Sequence, residues 1–308
     1  MIASEVAMSG PSASQRYVPV MAETLRGVDR DRLERSCSAR EDSIRLGAGA
    51  QGLERAEVRF ATCTFSPHRH DTYAIGITTA GVQTFRYRGS RHICLPGQLH
   101  FLYPDETHDG GPATDAGFAY RILYVEPELL RGALGDRPLP FVADPVQDGT
   151  PATRELEQLL GEMDGPVSDL GRHEAAAAIA AALVGLGGAE AEGPIDLAAV
   201  GRVRDYLRAH ACEQTPASTL ERIAGIDRYA IARHFRRAYG TSPDRYRAMR
   251  RLGLARTAIQ SGVPLARAAA DAGFADQSHM TRQFVRAYGL TPGRWARAVA
   301  GSARPSDG

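Results

Sequence analysis

One motif is written twice between Asp227 and Trp295. The first copy reads Asp227-Arg-Tyr-Ala-Ile-Ala-Arg-His-Phe-Arg-Arg-Ala-Tyr-Gly-Thr-Ser-Pro and ends at Pro243. The second reads Asp276-Gln-Ser-His-Met-Thr-Arg-Gln-Phe-Val-Arg-Ala-Tyr-Gly-Leu-Thr-Pro and ends at Pro292. Asp, Arg, Phe, Arg-Ala-Tyr-Gly and Pro recur in register, at a constant offset of 49 residues. Such a repeat means one supersecondary unit used twice. In each copy an Asp is placed to cap a helix, a Gly to stop it and a Pro to open the next. Ile231 with Phe235, and Met280 with Phe284, lie four residues apart on one apolar face. A shorter helix precedes each, started by Thr219 in the first copy and spanning 265–271 in the second. Gly225-Ile226-Asp227 and Ala272-Gly273-Phe274 make the turns. A short helix, a tight turn and a second amphipathic helix form a helix-turn-helix.

The opposite face of each second helix is polar and cationic. In copy one it holds Arg228, Tyr229, Ala232, Arg233 and Arg236; in copy two, Gln277, Ser278, His279, Thr281 and Arg282. Arg can bond guanine O6 and N7 together, Gln can bond adenine, and Thr can touch a thymine methyl. Arg237 and Arg286 sit further along, where phosphate contact is expected. Basic amphipathic helices are usually only solvated surface, but two matched copies joined by one helix argue against coincidence. Two such helices on one connecting helix can enter successive major-groove segments, roughly 34 Å apart.

Charge is divided along the chain. From residue 199 onward there are 19 Arg against 8 acids; residues 1–198 carry 18 Arg against 28 acids. A basic half is expected to meet a polyanion. Every basic residue is Arg, which weakens Arg enrichment as a separate argument. Cys37, Cys63, Cys94 and Cys212 form no CxxC pair and are expected as reduced thiols. No basic stretch followed by an apolar run opens the chain, so no signal peptide is expected and the cytoplasm is the expected location. The most apolar run, Ala175 to Leu186, is too short to span a bilayer.

Upstream of the repeat the pattern changes. Residues 1–45 are polar and expected to form a partly disordered arm. Short alternating runs follow: around Val58 and Phe60, from Tyr73, Gln83 to Tyr87, Arg91 to Leu95, Leu99 to Tyr103, and Tyr120 to Val125. Turn signals separate them at Ala80-Gly81, Arg88-Gly89-Ser90, Pro96-Gly97 and Asp109-Gly110-Gly111-Pro112. Many short strands at this spacing suggest a barrel or sandwich. Leu156, Leu159, Leu160 and Met163, then Ile179, Leu183 and Leu186, give two helical faces. The Ala-rich second helix suits either a dimer interface or packing on its own barrel.

Residues 199–300 closely resemble the DNA-binding domain of AraC/XylS transcription regulators. The strongest stretch is Ala272-Gly-Phe-Ala-Asp-Gln-Ser-His-Met-Thr-Arg-Gln-Phe-Val-Arg-Ala-Tyr-Gly-Leu-Thr-Pro-Gly-Arg-Trp. Copy one fits through Ile231, Arg233, Phe235, Gly240, Ser242-Pro243 and Tyr246. The resemblance implies base contacts from Tyr229, Ala232 and Arg233, and from Gln277, Ser278, His279, Thr281 and Arg282. Ala232 stands where a longer polar reader is expected, so copy one should read fewer bases. His68-Arg69-His70, Pro96-Gly97, Tyr103-Pro104 and His108 resemble the cupin-type sensor of the same family. The expected architecture is two-domain: an N-terminal all-β cupin-like barrel with a helical dimerisation segment, and a C-terminal all-α double helix-turn-helix. Its expected boundaries are 46–150 for the effector-binding barrel, 151–198 for the helical linker and 199–308 for the DNA-binding domain.

Cupin enzymes hold metal with His-x-His, a Glu and a distant His. Here Ala74 and Ile75 stand where the Glu would be. The expectation is therefore no metal and no cofactor; His68, His70 and His108 are the only ligand set available should one bind. These three, with Tyr73 and Tyr103, are candidate lining for an effector pocket. The histidines also fit an ordinary strand start and turn. No nucleophile–base pair or phosphate loop stands out, so an enzyme is not expected. The sequence reading is a DNA-binding transcription regulator, an activator by kinship, controlled by a small-molecule effector. Its expected partners are promoter DNA, the effector, RNA polymerase and a second copy of the chain, with no membrane. Two rivals remain: a cupin metalloenzyme with a basic accessory domain, and a constitutive, ligand-free DNA-binding protein.

Overall fold

Among the described residues, ten short strands build the N-terminal half: β1 (Ser43–Leu46), β2 (Leu53–Phe60), β3 (Phe65–His68), β4 (Tyr73–Gly81), β5 (Gln83–Tyr87), β6 (Ser90–Cys94), β7 (Leu99–Leu102), β8 (His108–Pro112), β9 (Phe118–Val125) and β10 (Val146–Gln147). The computed structural model describes residues 42–148, 151–161, 163–187 and 194–301. All of them fall in one unit, Cys37–Gly308. One antiparallel sheet runs β1-β2-β9-β4-β7-β10 and the other β3-β8-β5-β6. Val58, Phe60, Ala74, Phe85, Tyr120 and Ile122 pack together in the interior. Tyr73, Ile75, Leu123 and Val125 leave the opposite face of β4 and β9 and meet helices. Being covered on both faces removes the apolar–polar alternation of a half-exposed strand.

The structure adds β1, β3, β8 and the two-residue β10 to the strands expected from sequence. Asp109-Gly110-Gly111-Pro112 was expected as a turn; it lies in β8, between β3 and β5. Gly111 is needed there for close approach, since a Cβ would sit 2.6 Å from Thr64 Cγ2. β1 draws the last residues of the expected 1–45 arm into the sheet by pairing with β2. The rest of that expected arm, to residue 41, lies outside the described residues.

Three helices cover the outer sheet face: α1 (Pro127–Leu134), α2 (Pro151–Gly161) and α3 (Asp169–Leu186). Leu130, Leu156, Leu160, Ile179 and Leu183 join the same cluster as Tyr73 and Ile75. Ala175, Ala176 and Ala180 are buried there too, so the small-residue face of α3 is spent on its own barrel.

The C-terminal half is helical: α4 (Leu197–Ala209), α5 (Ala217–Ala224), α6 (Arg228–Tyr239), α7 (Pro243–Gln260), α8 (Leu265–Asp271), α9 (Gln277–Tyr288) and α10 (Pro292–Gly301). The repeat becomes α5–α6 and α8–α9, with α7 between. Asp227 accepts hydrogen bonds from the Tyr229 and Ala230 N–H groups, and Asp276 from that of His279. Both helices end at a left-handed glycine, Gly240 and Gly289. Thr219 does not cap α5, which begins two residues earlier; Arg202 closes its other end by donating to the Ile223 and Ala224 carbonyls. Tyr246 of α7 enters the core of copy one, while Leu252, Ala255 and Ile259 enter that of copy two. One helix thus fixes the two copies to each other.

Both second helices of the repeat end on the barrel. Asp105 lies 3.6 Å from Arg245 and 3.9 Å from Arg236, and accepts a hydrogen bond from Thr241. At the end of α9, the Ser66 and Arg69 N–H groups donate to the Gly289 and Arg286 carbonyls. Arg250 bridges Asp71 at 2.8 Å and Glu126 at 2.5 Å, Arg256 pairs with Glu54, and Arg204 and Arg208 flank Glu128. The acidic excess of the first half therefore serves partly as the counter-charge of the second.

Candidate nucleic-acid interface and small-molecule cavity

The polar face expected to read bases stays accessible in both copies. On α6, Tyr229 is 78% exposed, and Ala232, Arg233 and Arg236 are exposed beside it. Arg228 is exposed, but its guanidinium donates to Glu221 at 2.9 Å, within the same helix-turn-helix. Arg237 is half-buried. On α9, Gln277, Ser278, Arg282 and Arg286 are exposed, and His279 and Thr281 half-buried. The His279 ring packs edge-on against Phe274, with centroids 5.6 Å apart. This contact tightens the turn of copy two and leaves the imidazole less free than its neighbours. Arg236 differs from Arg282 in approaching the barrel's Asp105, a tie no local pattern announces.

A cavity of about 430 Å³ lies between the barrel and the second copy. Ile44, Ala56 and Val58 form its barrel wall; Met249 and Leu254 of α7, with Leu290 and Trp295, form the other. Its size and mostly apolar lining suit a small organic molecule. Arg250, Asp71, Glu126, Glu54 and Arg256 also line it, so the ion pairs that join the halves border the same space. Burial works against the charge of Arg250, but Asp71 and Glu126 outweigh it and hold the guanidinium above its ordinary pKa. Burial pushes the Asp71 carboxyl up, with Arg250 opposing.

The five residues expected around an effector do not share one place. His68 and His70 line the cavity. Tyr73 and Tyr103 pack edge-to-face at 5.4 Å on the helix-covered side of the sheet. The Tyr73 hydroxyl donates to the Pro140 carbonyl, so its polar end is already satisfied. His108 pairs across strands with His68, and the two rings lie 4.2 Å apart. Each of His68, His70 and His108 is buried and offers one ring nitrogen within 4.8 Å of the others. Burial lowers the pKa of all three, to about 3 for His70 and about 4 for His108. The cavity walls themselves, from Met249 to Trp295, escaped sequence reading because they are spread over separate elements.

Residues 51–180 match the AraC-like ligand binding domain family, and residues 220–298 match a helix-turn-helix domain family. The two domains occur here in one chain, in that order. This chain is a transcription regulator that joins an AraC-like ligand binding domain to a helix-turn-helix domain. The regulator is 26% identical over 233 residues to an uncharacterized HTH-type transcriptional regulator, YbfI, of Bacillus subtilis (strain 168). That alignment covers 70% of this chain and 81% of YbfI. Its fold is similar to that of ToxT from Vibrio cholerae, with a TM-score of 0.59 at 10% identity, over 80% of this chain and 99% of ToxT. A structure of ToxT with unsaturated fatty acid bound superposes with a TM-score of 0.58 at 12% identity, over 82% of this chain and 97% of that one. Among the described residues, no helix of the regulator is long and apolar enough to cross a membrane. One expectation needs correction: Cys63 of the regulator is disulfide-bonded, whereas Cys94 and Cys212 are free thiols. The spacing of cysteines along a chain carries no information about which approach in space.

Proposed function

We propose that this regulator binds its effector in the cavity between the barrel and the second helix-turn-helix, and that the occupant sets how the two halves are held. The observation that carries this reading is the shared wall. Barrel residues Ala56 and Val58 and DNA-binding-domain residues Met249, Leu290 and Trp295 line one space. An apolar molecule with one acidic or polar group fits the lining, because Arg250 and Arg256 offer cations beside apolar walls. A group that binds either arginine competes with Asp71, Glu126 or Glu54, and so acts directly on the joint between the halves. Differential affinity for two arrangements is what a regulatory ligand requires. ToxT, of the same fold, has been solved with an unsaturated fatty acid bound, and such amphiphiles are natural first candidates. Trp295 is the chain's single tryptophan and stands in the cavity wall. Its fluorescence should therefore change saturably with a true effector, at the concentrations that change operator affinity. Quenching without any change in affinity would overturn the proposed role.

We propose further that Tyr229, Arg233, Gln277, Ser278 and Arg282 read bases, while Arg228, Arg236, Arg237 and Arg286 position the protein. The exposure of the first group and the Glu221 and Asp105 ties of Arg228 and Arg236 support this division. Arg282→Ala should cost about 1–3 kcal/mol at a specific operator selected from a random pool, and relax preference at one position. Equal losses on operator and random DNA would make Arg282 a phosphate contact instead. Activation through RNA polymerase, homodimerisation, a cytoplasmic location, the absence of enzymatic activity and boundaries at 46–150, 151–198 and 199–308 are proposed on kinship with the family. A dimer contact on the linker segment would have to use surfaces other than the buried alanine face of α3.

A further inference from the structure

We infer that the barrel itself touches DNA: Arg69 joins Arg236 and Arg286 in one basic patch that takes phosphates between the two major-groove segments. This contact rests on the DNA-binding reading above and adds to it a residue from the other domain. Arg69 lies in the turn after β3, between the two second helices of the repeat. Its N–H donates to the Arg286 carbonyl, near the end of α9, at 3.0 Å. Its carbonyl accepts a hydrogen bond from Arg245 at the start of α7. Its guanidinium stands 3.4 Å from Asp105, the carboxylate that Arg245 approaches at 3.6 Å and Arg236 of α6 at 3.9 Å. Arg236 follows Arg233 by three residues and Arg286 follows Arg282 by four. At that spacing each lies on the same side of its helix as the residues assigned to bases, one turn further along. Arg69 is thus held between two cations that face the same way.

The charge balance of the patch calls for an anion. Among the described residues, Asp105 is the one ion-pair partner of Arg69, Arg236 and Arg245, and Arg286 has none. Asp105 cannot turn outward to meet them. Its side chain is 5% exposed, its backbone is held in the left-handed region at φ 61°, and its N–H donates to the His70 carbonyl at 2.7 Å. Burial holds the Arg245 guanidinium below its ordinary pKa; Asp105 opposes this, and the like charge of Arg69 adds to it. The donors of Arg69 and Arg236 are unused. Among the described residues neither guanidinium makes a hydrogen bond, and the two side chains are 49% and 62% exposed. A guanidinium with a free fork suits phosphate oxygens, which it takes through two parallel N–H bonds. Helices that enter successive major-groove segments leave the intervening phosphates facing the protein between them. The sensor domain thus adds affinity directly, and not only by holding the helices.

The test is salt dependence, with full-length protein and an operator selected from a random pool. One phosphate contact contributes about 1 to the slope of log affinity against log salt. Arg69→Gln should lower that slope by about 1, so that its deficit shrinks about three-fold between about 50 and 200 mM salt. It should weaken operator and random DNA alike, since a phosphate carries no sequence. Arg69→Lys should keep the slope. Arg91→Gln, on β6 three strands from β3 in the same sheet, should change neither slope nor affinity. Far-UV circular dichroism establishes that each variant is folded. Neutral methylphosphonates between the two major-groove segments need no variant: at one or more positions they should weaken wild type, and Arg69→Gln less. A slope in folded Arg69→Gln equal to wild type would overturn the contact and leave the DNA-binding reading standing. So would a loss confined to the operator, or wild type indifferent to every methylphosphonate there. Wild type that binds neither DNA at low salt would overturn the DNA-binding reading, and this contact with it.

Discussion

Arg250→Ala should destabilise the folded protein by about 3–5 kcal/mol in urea unfolding at neutral pH, because it strands a buried charge. Asp71 is 4% exposed in its side chain, and Arg250 is its one ion-pair partner among the described residues. Glu126 loses the same partner. Most surface pairs in this protein, such as Arg267 with Asp271, contribute little, since water screens them. The Arg250 pair is different because the carboxylate cannot return to solvent without opening the joint between barrel and α7. Burial already pushes the Asp71 carboxyl up, so its route of relief is protonation or replacement. Arg250→Ala combined with Asp71→Asn should therefore recover part of the loss. A single-variant loss below about 1 kcal/mol would show that water reaches Asp71 and that the pair does not hold the halves together. The same variant should make operator affinity insensitive to an effector, since the joint through which the effector acts is already loose.

His100 should make the protein acid-sensitive. It is 2% exposed inside the barrel, and its Nδ1 has no hydrogen-bond partner among the described residues. Burial, with a smaller contribution from His108, lowers its pKa to about 3. In the unfolded chain it titrates near the ordinary 6.5. Between these values the unfolded state binds a proton that the folded state refuses. Stability from this group is complete above pH 6.5 and falls as pH drops. The slope is about 1.4 kcal/mol per pH unit, or about 5 kcal/mol when the loss is complete. His100→Gln should remove that increment from the urea-unfolding stability measured at pH 7.5, 6 and 5, whatever the other groups contribute. Identical slopes in variant and wild type would mean that His100 is protonated in the folded state.

The strands and helices that sequence revealed are those whose reasons are local. β5 matches the expected Gln83 to Tyr87 because a turn signal ends it and its partner β6 follows at once. β3 and β8 were missed because they pair with each other across some forty residues, and β8 carries two glycines that resemble a turn. The polar, exposed face of each second helix was visible for the same local reason. Tyr229, Ala232 and Arg233, like Gln277, Ser278 and Arg282, are placed by helical periodicity alone. Tyr73 and Tyr103 were grouped with the histidines by proximity in sequence, yet successive side chains of a strand leave on opposite faces, and these two lie under the helices.

What this chain determined by sequence alone is the double helix-turn-helix: Asp227 and Asp276 as caps, Gly240 and Gly289 as stops, and an apolar stripe between them. Each of these acts within a turn or two of helix, so its position in the chain is its position in space. The tertiary structure decided the rest. It chose which carboxylates face the arginines of α7, and it opened a cavity where Val58 meets Trp295. It also brought His108 onto His68 behind the end of α9. These are meetings between distant segments, set by how two sheets and a helical domain pack, and chain spacing does not encode them.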